Sequence, residues 1–134
     1  MRKNFILTCL VAAVSLMLSS CGESVDHSDP RSVAEHALKC LYARDYESLR
    51  SLVNPANEYR LEELDRMVQI SKENARALKS EDVDFSFESM KDTSTGEDIT
   101  AESRNAVVKF ESEQGSRRVM LERADGKWYF DRFK

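Results

Sequence analysis

The sequence predicts an α+β domain, with helices in its first half and an antiparallel sheet in its second. Three observations predict it. Apolar residues recur at three- and four-residue spacing from Val33 to Leu78. The period switches to alternation after Ser80, and Asp125-Gly126 stands between two alternating runs as a two-residue hairpin signal. The expected architecture is three N-terminal helices packed on a curved antiparallel sheet.

The first helix should begin after Asp29-Pro30, an N-cap acceptor followed by a proline where the missing N–H costs nothing. Its apolar stripe is Val33, Ala34, Ala37, Leu38, Leu41 and Tyr42. Asp45 reads as a second N-cap, opening a short helix with Tyr46, Leu49, Leu52 and Val53 that ends at Asn54-Pro55. The third pattern places Leu61, Leu64, Val68, Ser71, Ala75 and Leu78 on one side. Charged residues such as Glu62, Glu63, Asp65, Arg66 and Arg76 fill the others, which reads as a solvated face.

In the second half, Val83, Phe85 and Phe87 alternate with Asp84, Ser86 and Glu88 as a half-buried strand. A turn-rich loop from Asp92 to Ser103 leads into Ala106, Val108 and Phe110, and Gln114-Gly115 turns the chain toward Val119 and Leu121. A two-residue turn at Asp125-Gly126 pairs Ala124 with Lys127, Arg123 with Trp128, Glu122 with Tyr129 and Leu121 with Phe130. Val119, Leu121, Trp128 and Phe130 then share the core face, expected to lie on the third helix. The opposite face carries Met120, Tyr129, Asp131 and Phe133. That face is too apolar to be simply solvated, so Met120, Tyr129 and Phe133 form a candidate interaction face, covered by a partner, a chain terminus or a second copy.

Ahead of the domain, Arg2 and Lys3 precede an uncharged run from Phe5 to Leu18 that closes on Ser19-Ser20, the layout of a secretory signal. The junction Leu18-Ser19-Ser20-Cys21 resembles the lipobox of bacterial lipoproteins. That resemblance implies cleavage before Cys21, diacylglycerol on its sulfur and an acylated amine. Two or three chains hold a protein stably where one holds it marginally. Gly22 stands where an Asp would mark retention at the inner membrane, so the resemblance implies the outer membrane of a Gram-negative cell. The expected divisions are a signal over 1–20, a lipidated cysteine and tether over 21–28, and the domain over 29–134.

Removal of 20 residues from 134 leaves 114, enough for a single core. The 20 Lys and Arg lose Arg2 and Lys3 to become 18, against 24 Asp and Glu, for a mature net charge near −6. That balance argues against nucleic acid as a partner. With Cys9 leaving in the signal and Cys21 taken by lipid, no intrachain disulfide is expected, and Cys40 reads as a small buried hydrophobe. Glu23 to Ser28 is short, polar and aperiodic and reads as a mobile tether. His27 has no second histidine at ligand spacing, so no metal site is expected.

The stretch Val33 to Leu52, with Ala-Leu-Lys-Cys-Leu-Tyr-Ala-Arg-Asp-Tyr-Glu-Ser-Leu, resembles the opening of small secreted lipoproteins with the nuclear-transport-factor-like, cystatin-like cone domain. The ending Val119 to Phe130, with Asp125-Gly126-Lys127-Trp128, resembles that group's closing hairpin. The group is also described as lumazine-binding-like. The resemblance implies a cone with a pocket between sheet and long helix.

Residues for catalysis are sparse. His36, the folded part's one histidine, flanks the first helix's stripe. Tyr129 and Asp131 are expected on the face away from the core. Neither a nucleophile with a base, nor a phosphate-cradling glycine loop, nor a metal cluster stands out. No cofactor is expected. The reading is a membrane-anchored, non-catalytic module binding a ligand or protein, with a homodimer through the sheet as one arrangement. The alternative is a hydrolase- or isomerase-like enzyme using the cone pocket.

Overall fold

A computed structural model describes residues 25–74 and 79–134. Cys21, Ala75 and Leu78, and with them the expected signal and lipid junction, lie outside the described residues. The element order is α1 (Pro30–Ala43), α2 (Tyr46–Ser51), α3 (Glu58–Glu73), β1 (Phe85–Asp92), β2 (Asn105–Ser112), β3 (Gly115–Ala124) and β4 (Lys127–Phe133). The strands form one antiparallel meander in the order β1-β2-β3-β4.

The helices start where their caps dictate. The Asp29 carboxylate accepts from the Arg31 amide at 3.0 Å, with Pro30 in the first turn. Asp45 accepts from the Ser48 amide at 3.1 Å, and Asn57 from the Arg60 amide at 3.2 Å. Each side chain satisfies a donor that the first helical turn cannot. α1 ends on Arg44 in the left-handed region, φ 57°, a conformation costing a non-glycine residue about 1 kcal/mol. Its guanidinium then reaches Glu81 at 2.8 Å and holds the chain ahead of β1 beside the helix end.

α1, rather than α3, covers the sheet. It packs against β2, β3 and β4, whereas α3 rests on α2, which corrects the expectation that the sheet lies on the third helix. The reason lies in the two stripes. α1 buries Val33, Ala34, Ala37 and Leu38 completely, and its alanines let the backbone approach closely, while α3 buries only Leu64, and that incompletely. The sheet supplies Ala106, Val108, Phe110, Val119, Leu121, Trp128 and Phe130 to the same core. Phe85 and Phe87 meet Phe110 edge-on, with centroids at 5.4 and 6.2 Å.

Cys40 is fully buried, as a small hydrophobe in that stripe should be. In the whole chain it is also disulfide-bonded, whereas the expectation of no intrachain disulfide concerned the mature form, without Cys9 and with Cys21 lipidated.

The expected hairpin register holds from Ala124–Lys127 to Leu121–Phe130, about a turn with φ 52° at Asp125 and 75° at Gly126. Beyond it β4 carries one extra residue. Met120 pairs with Arg132 and Val119 with Phe133, so Asp131 is a bulge. The slip reverses the expected facing of two residues. Phe133 comes to the core side, its ring 4.7 Å from that of Phe130, and Asp131 turns toward α3. Met120 and Tyr129 keep the outer face.

The segment expected to be a mobile tether packs on the domain from Val25 onward. Val25 lies against the core, the Trp128 amide donates to the His27 carbonyl at 2.7 Å, and His27 Nδ1 is 2.7 Å from the Trp128 carbonyl oxygen. The His27 ring also lies 5.3 Å from the Tyr129 ring, so the segment ahead of α1 covers part of the outer face. Together with the Phe130 amide bonded to the Leu52 carbonyl at 2.8 Å, this closes the outer edge of β4.

Candidate ligand cleft

Because α3 leans on α2 and stands off from β4, a cleft of about 400 Å³ remains between α3 and the last residues of the sheet. Its walls are Leu41 from α1, Leu49 from α2, Leu64 and Met67 from α3, and Phe130 and Phe133 from β4. The volume lies in the range of small-molecule sites, and the apolar walls are bordered by the charged side chains of Arg44, Arg60, Glu63, Asp131 and Arg132. A recess of about 430 Å³ beside Asp84, Phe85, Glu111 and Glu113 is more open to solvent and bordered by three carboxylates.

Among the charged residues of the cleft, Arg60 bridges its two walls. Nη1 bonds the Glu63 carboxylate at 2.6 Å, one turn on, and Nη2 reaches Asp131 at 3.3 Å. The Arg60 side chain is 17 % exposed, and its Nε is buried without a hydrogen-bond partner. Two carboxylates thus fix one guanidinium across the gap between helix and sheet. At the mouth, Arg44 is held above its ordinary basicity, chiefly by a hydrogen bond with Tyr46 and further by Glu81.

Of the residues singled out from sequence, Phe133 and Asp131 line the cleft, both brought there by the bulge. Met120 is buried on the outer face and Tyr129 is half-buried under His27, so the expected trio of Met120, Tyr129 and Phe133 does not share a face. His36 is half-buried on α1 with Nδ1 3.0 Å from the Ser32 carbonyl, and it does not line the cleft. Among the described residues no group of three or more His, Cys, Asp or Glu is placed to hold a metal, and no helix is long and apolar enough to cross a membrane.

Sequence reasoning assigned Glu63 to a solvated face and did not single out Arg60. A signal was present: Arg60, Leu64 and Met67 recur at four and three residues, so Arg60 continues the apolar stripe toward the helix start.

Among the described residues, fold and cleft define an α+β arrangement of three helices and a four-stranded antiparallel meander, with a cleft at one end of the sheet. No protein-family model matches the chain, and no curated protein matches it. It is similar to the solution structure of a SEC-C motif-containing protein from Rhodopseudomonas palustris. The identity is 11 %, over 85 % of this chain and 88 % of that one, with a TM-score of 0.48.

Proposed function

We propose that the mature protein is a lipid-anchored, extracytoplasmic binding module of the nuclear-transport-factor-like cone group, held on the outer membrane of a Gram-negative cell through Cys21. The observation that carries the binding part is the apolar cleft between α3 and β4, with Arg60 fixed at its polar side. Arg60 engages Glu63 on α3 and Asp131 on β4, which fixes the two walls of the cleft against each other. Support for the anchor is the lipobox-like Leu18-Ser19-Ser20-Cys21 behind an uncharged run.

The cleft is tested with the fluorescent apolar probe anilinonaphthalene sulfonate. Saturable binding to the folded protein is expected, and Met67→Trp, which fills the cleft, should abolish it while thermal unfolding is unchanged. Absence of binding, or binding indifferent to Met67→Trp, would sink the cleft as the site. The anchor is tested by Cys21→Ser, which should remove lipid label and release the domain. A sulfur carrying diacylglycerol cannot also hold a disulfide, so intact mass before and after reduction separates the two fates of Cys21.

The enzymatic alternative draws on Asp131, which the bulge turns into the cleft. Substrate turnover lost on Asp131→Asn with the fold retained would establish it.

A further inference from the structure

The placement of residues 25–28 has a consequence for where the domain stands. They form a strap along the first part of β4: the His27 carbonyl takes the Trp128 amide at 2.7 Å, and the His27 ring takes the Trp128 carbonyl at 2.7 Å. That ring lies on Tyr129, and Val25 sits against the core. Asp26 and Asp29 close a tight turn, with the Asp29 amide on the Asp26 carbonyl at 3.1 Å, and lead into α1. The strap is therefore tied at both ends, to β4 and to the helix start. It leaves only Gly22, Glu23 and Ser24 between Cys21 and the folded domain.

Four residue steps span at most about 14 Å even when fully extended. A lipid-bearing Cys21 on an untied tether over residues 22–28 would let the domain swing on α1. Tied at His27, it holds the strap side of β4 beside the lipid. The alkyl chains fix the sulfur at the headgroup level, since leaving the bilayer would expose their methylenes to water.

We propose that the strap binds the domain side-on to the bilayer, so that the start of β4, around Trp128 and Tyr129, stands next to the lipid headgroups. The surface's partner is the membrane itself. This rests on the anchoring proposed above and goes beyond it, because an anchored domain on a free tether would take no fixed stance.

The chain offers its own reporter, since Trp128 is its single tryptophan and is the residue the strap grips. The experiment uses the full lipidated protein in phosphatidylethanolamine and phosphatidylglycerol vesicles carrying a dansyl headgroup label, with lipidation of the same sample confirmed by mass. Energy transfer from Trp128 to the headgroups should be strong. It should fall severalfold when ten Gly-Ser residues are inserted between Ser24 and Val25, ahead of the strap, and fall in part in His27→Ala. Transfer that is weak in the lipidated protein, or unchanged by the spacer, would overturn the side-on stance while leaving the anchor intact. A chain without lipid would overturn the anchor, and this inference with it.

Discussion

Arg60 and Asp131 meet at 3.3 Å although 71 positions separate them, one in the first turn of α3 and the other in a bulge of β4. This ion pair is the polar bridge across the mouth of a largely apolar cleft. Both side chains are more than two-thirds buried, so the pair is less screened than a surface one.

Arg60→Met should destabilise the fold by about 1–2 kcal/mol, because it leaves two carboxylates without their shared cation while keeping the apolar stem. Urea unfolding measures it. Combined with Asp131→Asn, the double variant should lose less than the two single losses added together, since one interaction is removed twice. Strict additivity would show that the two side chains do not act as a pair.

Asp92 accepts from the Ser103 hydroxyl at 2.6 Å and from the Ser94 amide and hydroxyl, both at 2.8 Å, and so pins the two ends of the long β1–β2 loop. These bonds, that of Ser103 first, hold its carboxyl below its ordinary value of 3.8. A depressed folded value means that the ionised group stabilises the fold. The contribution is complete above pH 3.8 and is lost as pH falls through the folded value. The midpoint of urea unfolding should therefore decline below about pH 4 in the native chain, and decline less steeply in Asp92→Asn. Identical acid limbs would exclude Asp92 as a source.

His27→Ala should lower stability by about 1 kcal/mol, through loss of the ring's hydrogen bond to the Trp128 carbonyl and its contact with Tyr129. A free tether would give no change. Thermal unfolding followed by Trp128 fluorescence distinguishes them, and an unchanged midpoint would mean that the strap contributes nothing.

Much of this fold was legible in the chain because its signals are local. Asp29-Pro30 and Asp45 open helices by bonding amides two or three residues on, and Asp125-Gly126 closes a hairpin because both residues tolerate positive φ. The alternation from Val83 onward needs only the two-residue period of a strand to place Phe85, Val108 and Phe110 on one face.

The cleft was not legible, and the reasons are specific. The bulge at Asp131 has no local signature in Tyr-Phe-Asp-Arg-Phe; it follows from Val119 pairing with Phe133 across the sheet, and one inserted residue reverses the facing of all that come after it. The choice of α1 over α3 as the helix on the sheet was a competition between two amphipathic stripes, decided by how completely each could be buried. His27 looked like linker because its stabilising partner is a backbone edge 101 positions away. The sequence by itself thus determined where each element begins, turns and presents its apolar side, since those depend on neighbours along the chain. Only the tertiary structure decided which faces met, and hence that Arg60, Asp131 and Phe133 share a cleft, because that depends on long-range pairing that no local period encodes.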